Sequence, residues 1–173
     1  MLFLAQFLYG QNNDCVKRTN HSLATRVKNY PFNLAGQIQF VSFDGLVEIT
    51  DKDEFAFSDM VPLTETIDTN VYSPAKEIKS LTRLQIDKLT DVLYNYGFRG
   101  RVHSQKTRSC YDPRNAILFY DNAGKPLAFI EICFECLQTR ESNEKISLGQ
   151  MCDQKLDMLK DLFRKAGIEY GVN

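Results

Sequence analysis

Apolar and polar positions alternate over Gln37–Phe43, with Ile38 and Phe40 set against Gln39, Val41 and Phe43. A period of two belongs to a strand with one face buried. Asp44-Gly45 is a favoured two-residue hairpin turn. Leu46–Ile49 reads as the returning strand, so a β-hairpin is predicted over about 37–50. A second hairpin is predicted over about 115–135. Ala116–Tyr120 is one arm, Asp121–Lys125 the turn and Leu127–Phe134 the other arm, with Pro126 tolerated only at the arm's first position. Elsewhere the spacing lengthens to that of a helix. Leu81, Leu84, Leu89, Val92, Leu93 and Tyr96 predict a helix near 81–96, capped by Ser80 or Thr82 and ended by Gly97. Met151, Leu156, Leu159, Leu162 and Phe163 predict another near 151–166. Lys160, Arg164 and Lys165 fall late in it, where cations suit the helix dipole, and Gly167 closes it. A short helix is read at Ser22–Val27, ended by Tyr30-Pro31, and a short strand at Asn70–Tyr72. Residues 51–78 are otherwise irregular, and the polar stretch 138–149 reads as an exposed loop. The fold class expected is α+β, with antiparallel hairpins packed by the two longer helices.

The 173 residues suit one domain, read as 15–173. Residues 2–9 are nearly all apolar and give way abruptly to polar ones. That pattern fits the latter part of a secretory signal, and a start codon placed too late would explain the missing basic residues before it. Residues 1–14 are therefore read as a truncated signal segment. It is too short to cross a bilayer, and Asn12-Asn13-Asp14 before Cys15 is no lipobox. The expected localisation is extracytoplasmic, periplasmic or secreted, where cysteines oxidise.

Charge narrows the partners. Lys and Arg number 21, Asp and Glu 22, and no basic block stands out, so broad contact with nucleic-acid phosphates is not expected. The acidic run Asp51, Asp53, Glu54 and Asp59 lacks the glycine of a calcium loop and reads as a solvated connection.

Chemistry concentrates on the cysteines. If facing partners in the second hairpin have residue numbers summing to about 247, Arg114 faces Cys133 and Cys110 lies near Cys136. Disulfides then join Cys110 to Cys136 or Cys133, and Cys152 to the other, with an odd thiol left among five. The alternative is a metal site, with Cys110, Cys133, Cys136 and Cys152 as the four ligands of a structural zinc. Only one of their spacings is short, and neither His21 nor His103 stands at ligand spacing. A redox use of Cys133-x-x-Cys136 meets two obstacles. In a continuous strand the two lie ~10 Å apart, and Glu135 opposes a thiolate. Cys152 at a helix start gains some nucleophilicity, with no histidine nearby in sequence to act as base. Arg114 is expected to pair Glu131 or Glu135, either in a polar pocket beside a thiol or on a solvated sheet face. His103 is a further candidate, because the unperturbed pKa of a histidine lies near neutrality. No cofactor is expected apart from the alternative zinc.

The blocks Leu-Tyr-Asn-Tyr at 93–96, Cys-Tyr-Asp-Pro-Arg-Asn-Ala-Ile at 110–117, Phe-Tyr-Asp-Asn-Ala-Gly-Lys-Pro at 119–126 and Ile-Glu-Ile-Cys-Phe-Glu-Cys at 130–136 resemble an uncharacterised family of predicted exported proteins from Bacteroidetes-type bacteria. The resemblance covers roughly 80–173 and, more faintly, 37–43. It implies export and carries no catalytic role, substrate or partner. The reading that results is an extracytoplasmic domain of non-enzymatic role, stabilised by disulfides. The alternative is a metal- or thiol-dependent protein using the four-cysteine cluster.

Overall fold

The computed structural model describes residues 13–44, 75–100 and 110–172. In chain order the elements are β1 (Val16–Lys17), α1 (Leu23–Arg26), β2 (Gln37–Ser42), β3 (Glu77–Ser80), α2 (Arg83–Asn95), β4 (Tyr96–Gly97), β5 (Asn115–Tyr120), β6 (Pro126–Cys133), β7 (Gln138–Glu141) and α3 (Lys155–Ala166). Five strands form an antiparallel sheet in the order β3-β2-β5-β6-β7, and β1 pairs with β4 separately. This is the expected α+β class, antiparallel sheet with helices packed against it.

Alternation along the central strands decides which face meets the helices. Ile38 and Phe40, Ile117 and Phe119, and Ala128, Ile130 and Ile132 join Leu89, Leu93, Leu159 and Phe163 in the main core. Phe163 stacks on Phe40 at 3.8 Å between ring centroids, and Phe134 meets it edge-on at 5.6 Å. The register of the β5–β6 hairpin is the expected one: Ile117 faces Ile130 and Ala116 faces Glu131.

The helix boundaries follow from their caps. Thr82 and Gln85 form a reciprocal capping box at the start of α2, which satisfies two otherwise orphaned donors. α3 stops at Gly167, whose φ of 87° is left-handed. Two helix ends differ from expectation. α2 stops at Asn95, because Tyr96 and Gly97 pair with β1 and the Asn95 amide donates to the His21 carbonyl. α3 starts at Lys155, so Cys152 lies in the turn before the helix rather than within its first turn.

Two polar strands were not expected. β7 falls in the stretch read as an exposed loop, yet it pairs with β6 from Ile130↔Glu141 to Cys133↔Gln138. β3 sits on the other edge, against β2. Edge strands carry no continuous apolar face, so hydrophobic periodicity does not mark them. The returning strand read at 46–49 and the strand read at 70–72 lie outside the described residues. Within the described ones, both edges of Gln39–Ser42 are occupied, by β3 and β5.

Lys155 closes the gap between the two helices. It is wholly buried, and its ammonium donates to the carbonyls of Leu93, Tyr96 and Leu148 at 2.8, 2.9 and 3.1 Å. Three hydrogens thus meet three acceptors, at the C-terminal end of α2 where a cation is favoured. Burial pushes the amine from 10.5 down to about 8, so it remains protonated at neutral pH. Lys155→Met is expected to cost about 2 kcal/mol, because three carbonyls, that of Leu93 in a buried contact, lose their donor. The sign of its pH dependence follows from linkage. Between the folded value near 8 and the unfolded value of 10.5, the unfolded chain holds more protons, so stability from this group rises with pH. Urea midpoints of wild type and variant at about pH 7 and about pH 9.5 check this: the gap in favour of wild type widens at the higher pH.

Candidate functional site: the cysteine end of the sheet

β6 leaves the sheet at Cys133, and the chain reverses through 134–137 before β7 begins at Gln138. Leu137 takes a left-handed φ of 56° to complete the reversal. This turn lifts the objection that Cys133 and Cys136 lie along one extended strand. It also presents Cys136 to Cys110, and the two form a disulfide with Cα atoms 5.5 Å apart. The Gln138 side-chain amide donates to the Cys110 carbonyl at 3.0 Å. Cys136 is buried while Cys110 is exposed. The Cys133 thiol is free and buried. It donates to the Asp112 carbonyl and accepts the Cys136 backbone N–H, each at 3.3 Å.

Of the expected pairings, Cys110 with Cys136 is present. The pairing of Cys152 with a hairpin cysteine is corrected: Cys152 joins Cys15, 137 residues away, with Cα atoms 5.0 Å apart. The turn before α3 binds the start of the described chain at several points. Asp153 N–H donates to the Asn13 carbonyl, Gln154 accepts from Cys15 N–H, and its amide donates to Asp14. Asn13 and Asp14, read from sequence with the signal segment, therefore pack on the folded domain. The four-thiolate zinc set does not assemble, because three of its members are bridged in two separate disulfides and Cys152 is tied to a different part of the chain. Among the described residues, no group of three or more His, Cys, Asp or Glu is placed to hold a metal ion.

Glu131 lies beside these sulfurs on the sheet face turned away from α2 and α3. Its side chain is fully buried. Ala116 faces it from β5 and Arg140 from β7. Arg140 grips both carboxylate oxygens, Nε to Oε2 at 2.6 Å and Nη2 to Oε1 at 2.7 Å. The Tyr111 hydroxyl donates to Oε2 at 2.8 Å. Burial first, and the neighbouring carboxylate second, push the Tyr111 phenol well above its ordinary range, so it stays a hydrogen-bond donor. Arg140 also sits 5.6 Å from the centroid of the Phe129 ring. A two-toothed arginine clamp with a phenol beside it satisfies a charge that would otherwise be costly to bury.

The expected partner of this carboxylate is corrected as well. Arg114 pairs with Asp112 at 3.0 Å, on a partly exposed surface, and not with Glu131. The reason is β7, which sets Arg140 directly opposite Glu131. Glu135 occupies the exposed turn, where its charge acts on Arg114. His103 lies outside the described residues. Sequence reasoning missed Tyr111, Arg140 and Cys15. The cysteine count gave no signal for the last of these, since the four cysteines from 110 onward already make two pairs and leave Cys15 as the odd one.

A concavity of about 550 Å³ opens elsewhere, between α1 and the start of α2. It is lined by Leu23, Val27, Phe32, Ile38 and Ile86 with Arg83 also on its wall, an apolar groove with little chemistry of its own.

Comparison of the chain with protein-family models, curated proteins and solved structures finds no match. The cysteine end thus defines the molecule by its own geometry: a disulfide-stabilised α+β domain. No helix among the described residues is long and apolar enough to cross a membrane.

Proposed function

We propose that this protein is an extracytoplasmic domain of non-enzymatic role, built to persist in an oxidising compartment. The observation that carries the reading is the Cys15–Cys152 bridge, which fastens the start of the described fold to the turn before its last helix across 137 residues. Such structural bridges persist where thiols are not kept reduced. The apolar run at 2–9 and the resemblance to exported bacterial proteins support the same location. The Glu131 carboxylate supports the non-enzymatic part, because both of its oxygens are engaged by Arg140 and Tyr111 rather than turned toward a substrate.

Cell fractionation combined with rapid alkylation of thiols in the producing cells tests the proposal. The expected result is protein outside the cytoplasm with Cys133 as its one alkylatable thiol after denaturation. Cytoplasmic protein with all five cysteines alkylated contradicts it.

A further inference from the structure

We propose that Cys133 is a resolving thiol for the Cys110–Cys136 disulfide, so that this end of the sheet supports thiol–disulfide exchange and can present a reactive thiol at Cys110. Three cysteines gather here, and only one bond joins two of them. The Cys133 sulfur lies 3.3 Å from the backbone nitrogen of Cys136, the residue whose sulfur it would attack. Its other contact is the carbonyl of Asp112, two residues beyond Cys110. The free thiol is therefore wedged between the two chain segments that the disulfide joins. A chain reversal of this kind lets positions three apart approach to the Cα separation a disulfide accepts.

Exposure gives the exchange a direction. Cys133 and Cys136 are each 2% exposed, whereas Cys110 is on the surface. In the step, the Cys133 thiol loses its proton to solvent and its sulfur attacks Cys136 Sγ. The Cys133–Cys136 bond forms, the Cys110–Cys136 bond breaks, and Cys110 leaves as a thiolate that takes up a proton. The number of thiols and disulfides is unchanged, so no oxidant or reductant is required. The product has a buried Cys133-x-x-Cys136 bridge and an exposed thiol, which a thiol or disulfide on another molecule can reach. The starting arrangement hides its thiol in the interior.

The test is alkylation of the folded, oxidised protein at mildly alkaline pH, followed by peptide mapping under non-reducing conditions. The expected product carries the label on Cys110 with a new Cys133–Cys136 bridge, at a rate independent of protein concentration. Cys133→Ser abolishes that labelling while leaving both disulfides mapped as before. Cys110→Ser, made under oxidising conditions and with Cys15–Cys152 intact, forms Cys133–Cys136. Label on Cys133 alone, or no label on Cys110 while urea-unfolded protein is labelled in full, overturns the proposal. So does a Cys110→Ser protein in which Cys133 and Cys136 both remain free thiols. The location proposed above fails separately, by fractionation, without changing these maps.

Discussion

Replacing Cys15 and Cys152 together by alanine is expected to lower stability by about 3–5 kcal/mol. The bridge closes a loop of 137 residues, and in the chain-entropy account a loop near this length is worth about 5 kcal/mol, the upper figure here. The Cys110–Cys136 bridge lies inside that loop and already shortens the unfolded chain, which reduces the figure somewhat. Contacts made in the folded state add to the loss. Without the bridge, only hydrogen bonds such as those from Asp153 to Asn13 and from Cys15 to Gln154 hold residues 13–15 on the turn before α3, and each is worth about 1 kcal/mol. For a domain of this size the melting temperature should fall by roughly 10 °C. Urea unfolding and calorimetry of the variant against wild type measure both. A change below about 1 kcal/mol means that the bridge restrains nothing the remaining contacts do not already hold.

The second large effect is expected at the buried ion pair, and it is asymmetric. Arg140→Leu leaves the wholly buried Glu131 carboxylate with Tyr111 as its main donor, and removing one partner of a buried pair costs about 3 kcal/mol. Glu131→Leu is expected to cost less, about 1–2 kcal/mol, because the Arg140 side chain is 17% exposed and its guanidinium can turn toward water. The double variant removes both charges from a face that already carries Val41, Ala116 and Leu118. It is expected to lie within about 1 kcal/mol of wild type, the residue being the lost partner of the Tyr111 hydroxyl. The coupling measured by this cycle is therefore favourable and exceeds about 1 kcal/mol. Single variants that are equal in cost and add in the double would show that the pair is an ordinary surface contact.

What was legible in the sequence is what burial imposes on sequence. The β5–β6 hairpin buries one face of each arm against helices, so its apolar period fixes the register, down to Ile117 opposite Ile130. That register in turn placed Cys110 near Cys136. The stripes of α2 and α3 showed for the same reason, since Leu89, Leu93, Leu159 and Phe163 have no exposure. β7 did not show. Its four residues, Gln-Thr-Arg-Glu, are all half-buried on an edge, and no alternation separates a wet face from a dry one. Missing β7 meant missing Arg140, and the hairpin register alone, which sets Arg114 opposite Cys133, leaves Arg114 as the partner for Glu131 or Glu135. Lys155 looked like any lysine ahead of an apolar stripe. Its burial depends on three carbonyls from 148, 93 and 96, whose convergence is a tertiary fact. Cys15 was hidden by its position beside an apolar leader-like run, although its actual partners lie around 152–154.

Peptide mapping of the oxidised protein without reduction, after acid quenching and alkylation in denaturant, addresses the sulfur framework most directly. The predicted map has two linked pairs, Cys15 with Cys152 and Cys110 with Cys136, and the alkyl group on Cys133. A map with Cys152 linked to Cys133, or with Cys15 alkylated and unlinked, would contradict it.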